Sequence, residues 1–117
     1  MAGEKFRQAV DDMQTLDLGV TGRSSGRQSQ RPVNFVVEGQ TIYFLPMGGS
    51  QSNWYKNILK TPTATMTAHG AADETKLSPI EGTAEVNDVV AKFRDKYGEQ
   101  TTVRYYSKQD VAVEARL

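Results

Sequence analysis

Apolar positions along the chain alternate more often than they recur at helical spacing. Leu16, Leu18 and Val20 are separated by single residues, and this period of two predicts a half-buried strand. Ahead of them, Phe6, Ala9, Val10 and Met13 recur as on one face of a helix. Residues 22–30 contain no apolar side chain and predict a loop rich in Gly, Ser, Gln and Arg. Strands are predicted over Pro32 to Glu38 and Thr41 to Leu45, joined by a tight hairpin at Glu38-Gly39-Gln40. Pro46 to Ser50 then interrupts the sheet. A short helix is predicted from Ser52 to Leu59, with Trp54 paired to Ile58 and Tyr55 to Leu59 at four-residue spacing. Lys60 favours its C-terminus and Pro62 forbids its continuation.

The second half follows the same logic. Ala64 to Ala68 predicts a strand, Gly70 to Thr75 a turn, and Lys76 to Val86 another strand with Pro79 at an edge or bulge. Asn87 is the expected cap of a helix carrying Val89, Val90, Phe93 and Tyr97 and ending at Gly98. The stretch Glu99 to Asp110 fits neither template. Val111, Val113, Ala115 and Leu117 alternate in a final strand. The predicted order α-β-β-β-α-β-β-α-β describes a mainly β protein of the α+β class. Its expected architecture is one domain over residues 1–117, an antiparallel sheet of about six strands closed into a small barrel, with two to three flanking helices.

Composition removes several kinds of chemistry. The 117 residues include no cysteine and one histidine, His69. Disulfides, iron–sulfur clusters, thiol nucleophiles and multi-histidine metal sites within one chain are therefore excluded. No apolar run approaches a membrane span, and the N-terminus lacks a secretory apolar region. The expected location is cytoplasmic. Fourteen basic and fourteen acidic residues cancel, yet residues 18–72 hold five cations and only Glu38 as an acid, a local charge of +4. That segment either favours an anionic ligand or meets the acidic flanks in the fold. The balanced total and the absence of a dense basic stripe argue against nucleic acid.

Two loops carry the candidate chemistry. In Thr21-Gly22-Arg23-Ser24-Ser25-Gly26-Arg27, glycines permit a sharp turn, serines supply hydroxyls, and Arg23 and Arg27 suit phosphate or carboxylate oxygens. A solvated hairpin turn would look the same. In Gly48-Gly49-Ser50-Gln51-Ser52-Asn53-Trp54-Tyr55, small residues precede a helix whose first amides are unpaired, as anion sites require. A capped helix with Trp54 in the core is the plainer alternative. The predicted hairpin between them would bring the two loops side by side.

Together, Thr21-Gly22-Arg23-Ser24-Ser25-Gly26 and Gly48-Gly49-Ser50 through Trp54-Tyr55-Lys56-Asn57-Ile58-Leu59, with Pro62, resemble the deazaflavin-dependent nitroreductase family. The match spans about residues 21–62. The resemblance implies a split β-barrel, related to pyridoxamine-phosphate-oxidase-like proteins, that forms a homodimer. It implies an oxidoreductase that uses coenzyme F-420, or alternatively FMN, to reduce a quinone, nitroaromatic or enone-type small-molecule acceptor. No catalytic side chain and no metal are required, because the cofactor carries the chemistry. By this resemblance Arg23, Ser24, Ser25, Gly26, Arg27 and Arg31 lie near the cofactor's phosphate or acidic tail. Gly48, Gly49 and Ser50 approach its ring, Trp54 walls the pocket, and Tyr105 or Tyr106 lines the substrate side. The chain departs from the family at Ser24, usually lysine, and at Gln28 and Ser29, commonly proline and a basic residue. Arg27 and Arg31 are the cations available instead. The alternative is a non-catalytic protein of the same fold that binds a small ligand or acts as a dimeric interaction module.

Overall fold

Strand β1 (Thr15–Thr21) forms because its apolar residues alternate, and Leu16, Leu18 and Val20 are each at most 2% exposed. The computed structural model describes residues 14–68, 70–105 and 109–116. The helix expected over Phe6 to Met13 lies outside them. β1 pairs antiparallel on one side with β2 (Gln28–Asn34) and on the other with β5 (Thr63–Ala68). β5 turns at Gly70 into β6 (Ala71–Lys76), completing a sheet ordered β2-β1-β5-β6. A second antiparallel sheet is ordered β3-β4-β8-β7, from β3 (Val36–Glu38), β4 (Thr41–Phe44), β8 (Ala112–Arg116) and β7 (Ser78–Ile80).

Two predicted elements are corrected by edge pairing. The loop expected over residues 22–30 ends early, because β2 starts at Gln28 opposite Thr21. The turn expected from Gly70 to Thr75 is mostly β6, whose residues alternate between half-buried and exposed. Both are edge strands with one wet side, so polar residues occupy them and hydrophobic alternation is lost. The strand expected over Pro32 to Glu38 is two strands in two sheets, broken at Phe35. The chain changes sheets there and again at Leu77, and both side chains are fully buried. Among the described residues the architecture is thus eight strands in two four-stranded ladders, mainly β with helices. Their hydrogen bonds do not close them into the expected barrel.

The break at Phe35 removes its backbone from the ladders, and a helix supplies the missing partners. Tyr97 Oη accepts from Phe35 N–H at 3.0 Å, and Lys96 Nζ donates to Phe35 C=O at 2.7 Å. The tyrosine's proton has two carbonyl acceptors within reach, Gln14 at 2.7 Å and Phe35 at 2.8 Å. At the other bend, Leu77 N–H donates to Pro62 C=O at 2.8 Å. Buried backbone groups need such partners wherever a ladder ends.

Three helices complete the described chain: α1 (Asn53–Lys60), α2 (Thr83–Tyr97) and α3 (Glu99–Tyr105). α2 begins before the expected Asn87. The strand predicted to reach Val86 ends at Ile80, and Val86 joins Val89, Val90 and Phe93 on the buried face of the helix. This face packs on Val36, Ile80 and Ala112 of the second sheet and on Leu45, just beyond β4. α3 fills most of the stretch that fitted neither template. The main core lies between the sheets, where Leu18, Phe35, Ile42, Phe44, Met66 and Leu77 are fully buried, and α1 adds Trp54, Tyr55 and Ile58. No helix among the described residues is long and apolar enough to cross a membrane.

Candidate functional site

The first nominated loop is the tip of the β1–β2 hairpin. Gly22 N–H donates to Arg27 C=O at 2.8 Å and Gly26 N–H to Gly22 C=O at 2.9 Å. Gly26 adopts φ +71°, a conformation that suits glycine. Ser25 Oγ accepts from Arg27 N–H at 3.1 Å, so this hydroxyl shapes the turn. Ser24 and Arg27 are exposed.

Arg23 points to α1. Its Nη1 donates to Asn57 Oδ1 at 2.7 Å and to Asn53 C=O at 3.3 Å, while its backbone N–H reaches the same Asn57 oxygen at 3.1 Å. Lys60 Nζ returns a bond to Arg23 C=O at 2.8 Å. The arginine of the first motif and the asparagine of the second are therefore partners. The loops meet through this clamp rather than through the expected hairpin, since β2 and β4 belong to different sheets.

The second loop is a 3-10 turn over Gly49–Gln51. Gly49 is buried at φ +56°, which explains one glycine of the pair. Its amides are largely spent within the turn: Gly49 N–H reaches Pro46 C=O, Gln51 N–H reaches Gly48 C=O, and Ser52 N–H reaches Gly49 C=O. Ser50 N–H donates to Asp110 Oδ1 at 3.0 Å, and Ser50 Oγ–H bonds Asp110 Oδ2. The chain thus places its own carboxylate on the amide expected to meet a ligand.

A shallow cavity of about 120 Å³ opens between the C-terminal half of β2 and the start of α1. Arg31, Pro32 and Val33 form one wall, and Met47, Ser52 and Trp54 the other. Trp54 is 5% exposed and stands edge-on to Phe44, with ring centroids 6.4 Å apart, so it serves both core and cavity. Met47 is 56% exposed. The Arg31 side chain makes no hydrogen bond or ion pair among the described residues. Ser52 does not cap α1 with its side chain. The cavity therefore combines a free guanidinium, an apolar wall and an uncapped helix start.

Of the nominated residues, Arg31 and Trp54 line this cavity, and Gly48, Gly49 and Ser50 form the turn leading into α1. Arg23, Ser24, Ser25, Gly26 and Arg27 lie at the hairpin tip beside α1. Tyr105 ends α3, and Tyr106 lies outside the described residues. Sequence reasoning missed Pro32, Val33 and Met47, which carry no chemical signature. It also missed Asn57 as Arg23's partner, although the shared motif held both. Tyr55 adds an orphan: its hydroxyl is buried without a hydrogen-bond partner among the described residues. Burial, with the charges of Glu81 and Asp110, raises its pKa.

Residues 8–116 match the model of a family described as "Uncharacterized protein conserved in bacteria (DUF2255)". No curated protein matches the chain in sequence. Solved structures show the fold. A putative 5-nitroimidazole antibiotic resistance protein from Bacteroides thetaiotaomicron superposes with a TM-score of 0.73 at 15% identity, covering 99% of this chain and 81% of its own. An F-420-H2 dependent reductase (FDR-A) gives 0.68 at 14% identity, covering 88% of this chain and 94% of its own. The heme storage protein HutZ from Vibrio cholerae gives 0.70 at 14% identity, covering 99% and 89%.

Proposed function

The chain belongs to the DUF2255 family, and from that premise we propose that it is a split-barrel oxidoreductase binding a deazaflavin or flavin in the cavity between β2 and α1. The observation that carries this reading is the meeting of Arg31, on β2, and Trp54, at the start of α1, around one void. The nitroimidazole-resistance protein and the F-420-H2 dependent reductase among its structural neighbours support it.

The residues present fit part of such a molecule. Arg31 suits a phosphate or carboxylate tail, and its planar fork can bind two oxygens at once. Pro32, Val33, Met47 and Trp54 offer an apolar surface for a flat ring. The cavity is smaller than the ~300–1,000 Å³ of most ligand sites, so the rest of the ligand would lie beyond it. The expected homodimer belongs to the proposal for that reason: a second copy over the open side would shield the ring from water. When bound, the reduced cofactor supplies a hydride to a quinone, nitroaromatic or enone acceptor. The protein's part is to orient and to exclude water. The Arg23 clamp holds the hairpin to α1, and through them sets the spacing of the cavity's walls.

A second reading is a non-catalytic relative that binds a small ligand. The internal engagement of Arg23 and of the Ser50 amide favours it, since both were expected to grip a cofactor. Fluorescence titration of the full chain with reduced coenzyme F-420 and with FMN separates the readings. Saturable binding followed by turnover of a nitroaromatic or quinone supports the oxidoreductase. Binding without turnover supports the second reading, and no saturable binding of either cofactor rejects the first.

A further inference from the structure

The bend at Leu77 adjoins a larger cavity. About 350 Å³ opens between the end of β6 and the second sheet, lined by Thr41, Thr75, Lys76, Ser78, Glu114 and Arg116. This volume lies within the ~300–1,000 Å³ typical of small-molecule sites. Strand register explains why polar groups gather there. Thr41 is paired with Arg116 and Ser78 with Glu114. Val113 and Ala115 face the core between the sheets, so the alternate residues Glu114 and Arg116 face outward. α2 covers this outer face around Tyr43 and Ile80. Thr41 and Ser78 lie outside that packed cluster, at the cavity.

The charges around this void are not spent on one another. The side chains of Lys76, Glu114 and Arg116 make no ion pair or hydrogen bond among the described residues, although all three line the same space. Glu114 is half-buried on a central strand. Two cations and one carboxylate define a sign pattern. A purely anionic ligand would face Glu114, and a purely cationic one would face Lys76 and Arg116. We propose that the cavity binds a small acidic amino acid, with two carboxylates for Lys76 and Arg116 and an ammonium for Glu114. The hydroxyls of Thr41, Thr75 and Ser78 complete the hydrogen bonding. Arg116 suits the paired geometry of a carboxylate.

Amide NMR of the full chain tests this with L-glutamate as probe and glutarate, which lacks only the ammonium, as control. The expected result is saturable movement of the Thr41, Ser78 and Glu114 signals with L-glutamate. Glutarate should bind about tenfold more weakly, the effect of one charge-assisted hydrogen bond. Glu114→Gln should erase that preference, and Arg116→Ala should weaken both ligands while the remaining spectrum stays folded. Movement confined to other residues, no saturation at millimolar concentrations, or an undiminished preference in Glu114→Gln overturns the proposal.

Discussion

Arg23 and Asn57 are locked together, with both the guanidinium and the backbone N–H of Arg23 donating to the single oxygen Asn57 Oδ1 at 2.7 and 3.1 Å. The first expected outcome concerns stability. Arg23→Ala and Asn57→Ala should each destabilise the protein. In a double-mutant cycle by urea denaturation the pair should show coupling of about 0.5–1 kcal/mol, modest because it is exposed. Strictly additive losses would remove the clamp. Arg23→Lys should not restore the coupling, since an ammonium lacks the planar fork.

Ligand binding should depend on a different arginine. Arg31→Ala should weaken binding of F-420 or FMN about tenfold or more at unchanged stability, as loss of one charged contact implies. Arg23→Ala should act through the hairpin, weakening binding together with stability. Arg94→Ala, on α2, should change neither. Fluorescence titration of the three variants checks this, and equal effects in all three would displace the site.

Tyr97→Phe removes the acceptor of Phe35 N–H and leaves that donor at a buried bend. The expected cost is about 1–3 kcal/mol, with faster hydrogen exchange at the Phe35 amide than at neighbouring β4 amides. Unchanged exchange at Phe35 would show that the hydroxyl is not its partner.

Burial lowers the pKa of Lys96 from the ordinary lysine value of 10.5. The folded state therefore releases this proton more easily than the unfolded chain does. Between the lowered value and 10.5, the unfolded chain binds more protons, so stability contributed by this group rises with pH. The penalty is fully present below the folded value. Urea denaturation across the alkaline range should show that rise in wild type and not in Lys96→Met. Parallel pH profiles would contradict it.

Tyr55→Phe deletes a buried hydroxyl that has no partner among the described residues. Stability should stay level or increase, because an unpaired buried polar group is costly. A loss above about 1 kcal/mol in thermal or urea denaturation would reveal a bond made by that hydroxyl.

Legibility in the sequence followed the contrast between dry and wet faces. β1, β4, β5 and β8, central in their sheets, were visible because Leu16, Ile42, Met66 and Val113 must alternate inward. The polar first half of β2, and β6, were missed because edge strands with polar residues carry no such signal. Val86 misled, since one β-branched residue after Ile80 continues a strand pattern equally well until α2 claims it. At the candidate site, Arg31 and Trp54 were legible as a charge and an aromatic near small residues. The commitment of Arg23 to Asn57 and of Ser50 to Asp110 was not, because long-range partners leave no local spacing.

The bends at Phe35 and Leu77 gear the two ladders together. Each outer strand of one sheet runs directly into an outer strand of the other. A one-residue slip on one side must be passed around the bend, where it would turn inward-facing residues outward. An insertion at either bend should therefore disturb both sheets at once, and the molecule is expected to tolerate added length at the Gly39 or Gly70 turns far better than at these two positions.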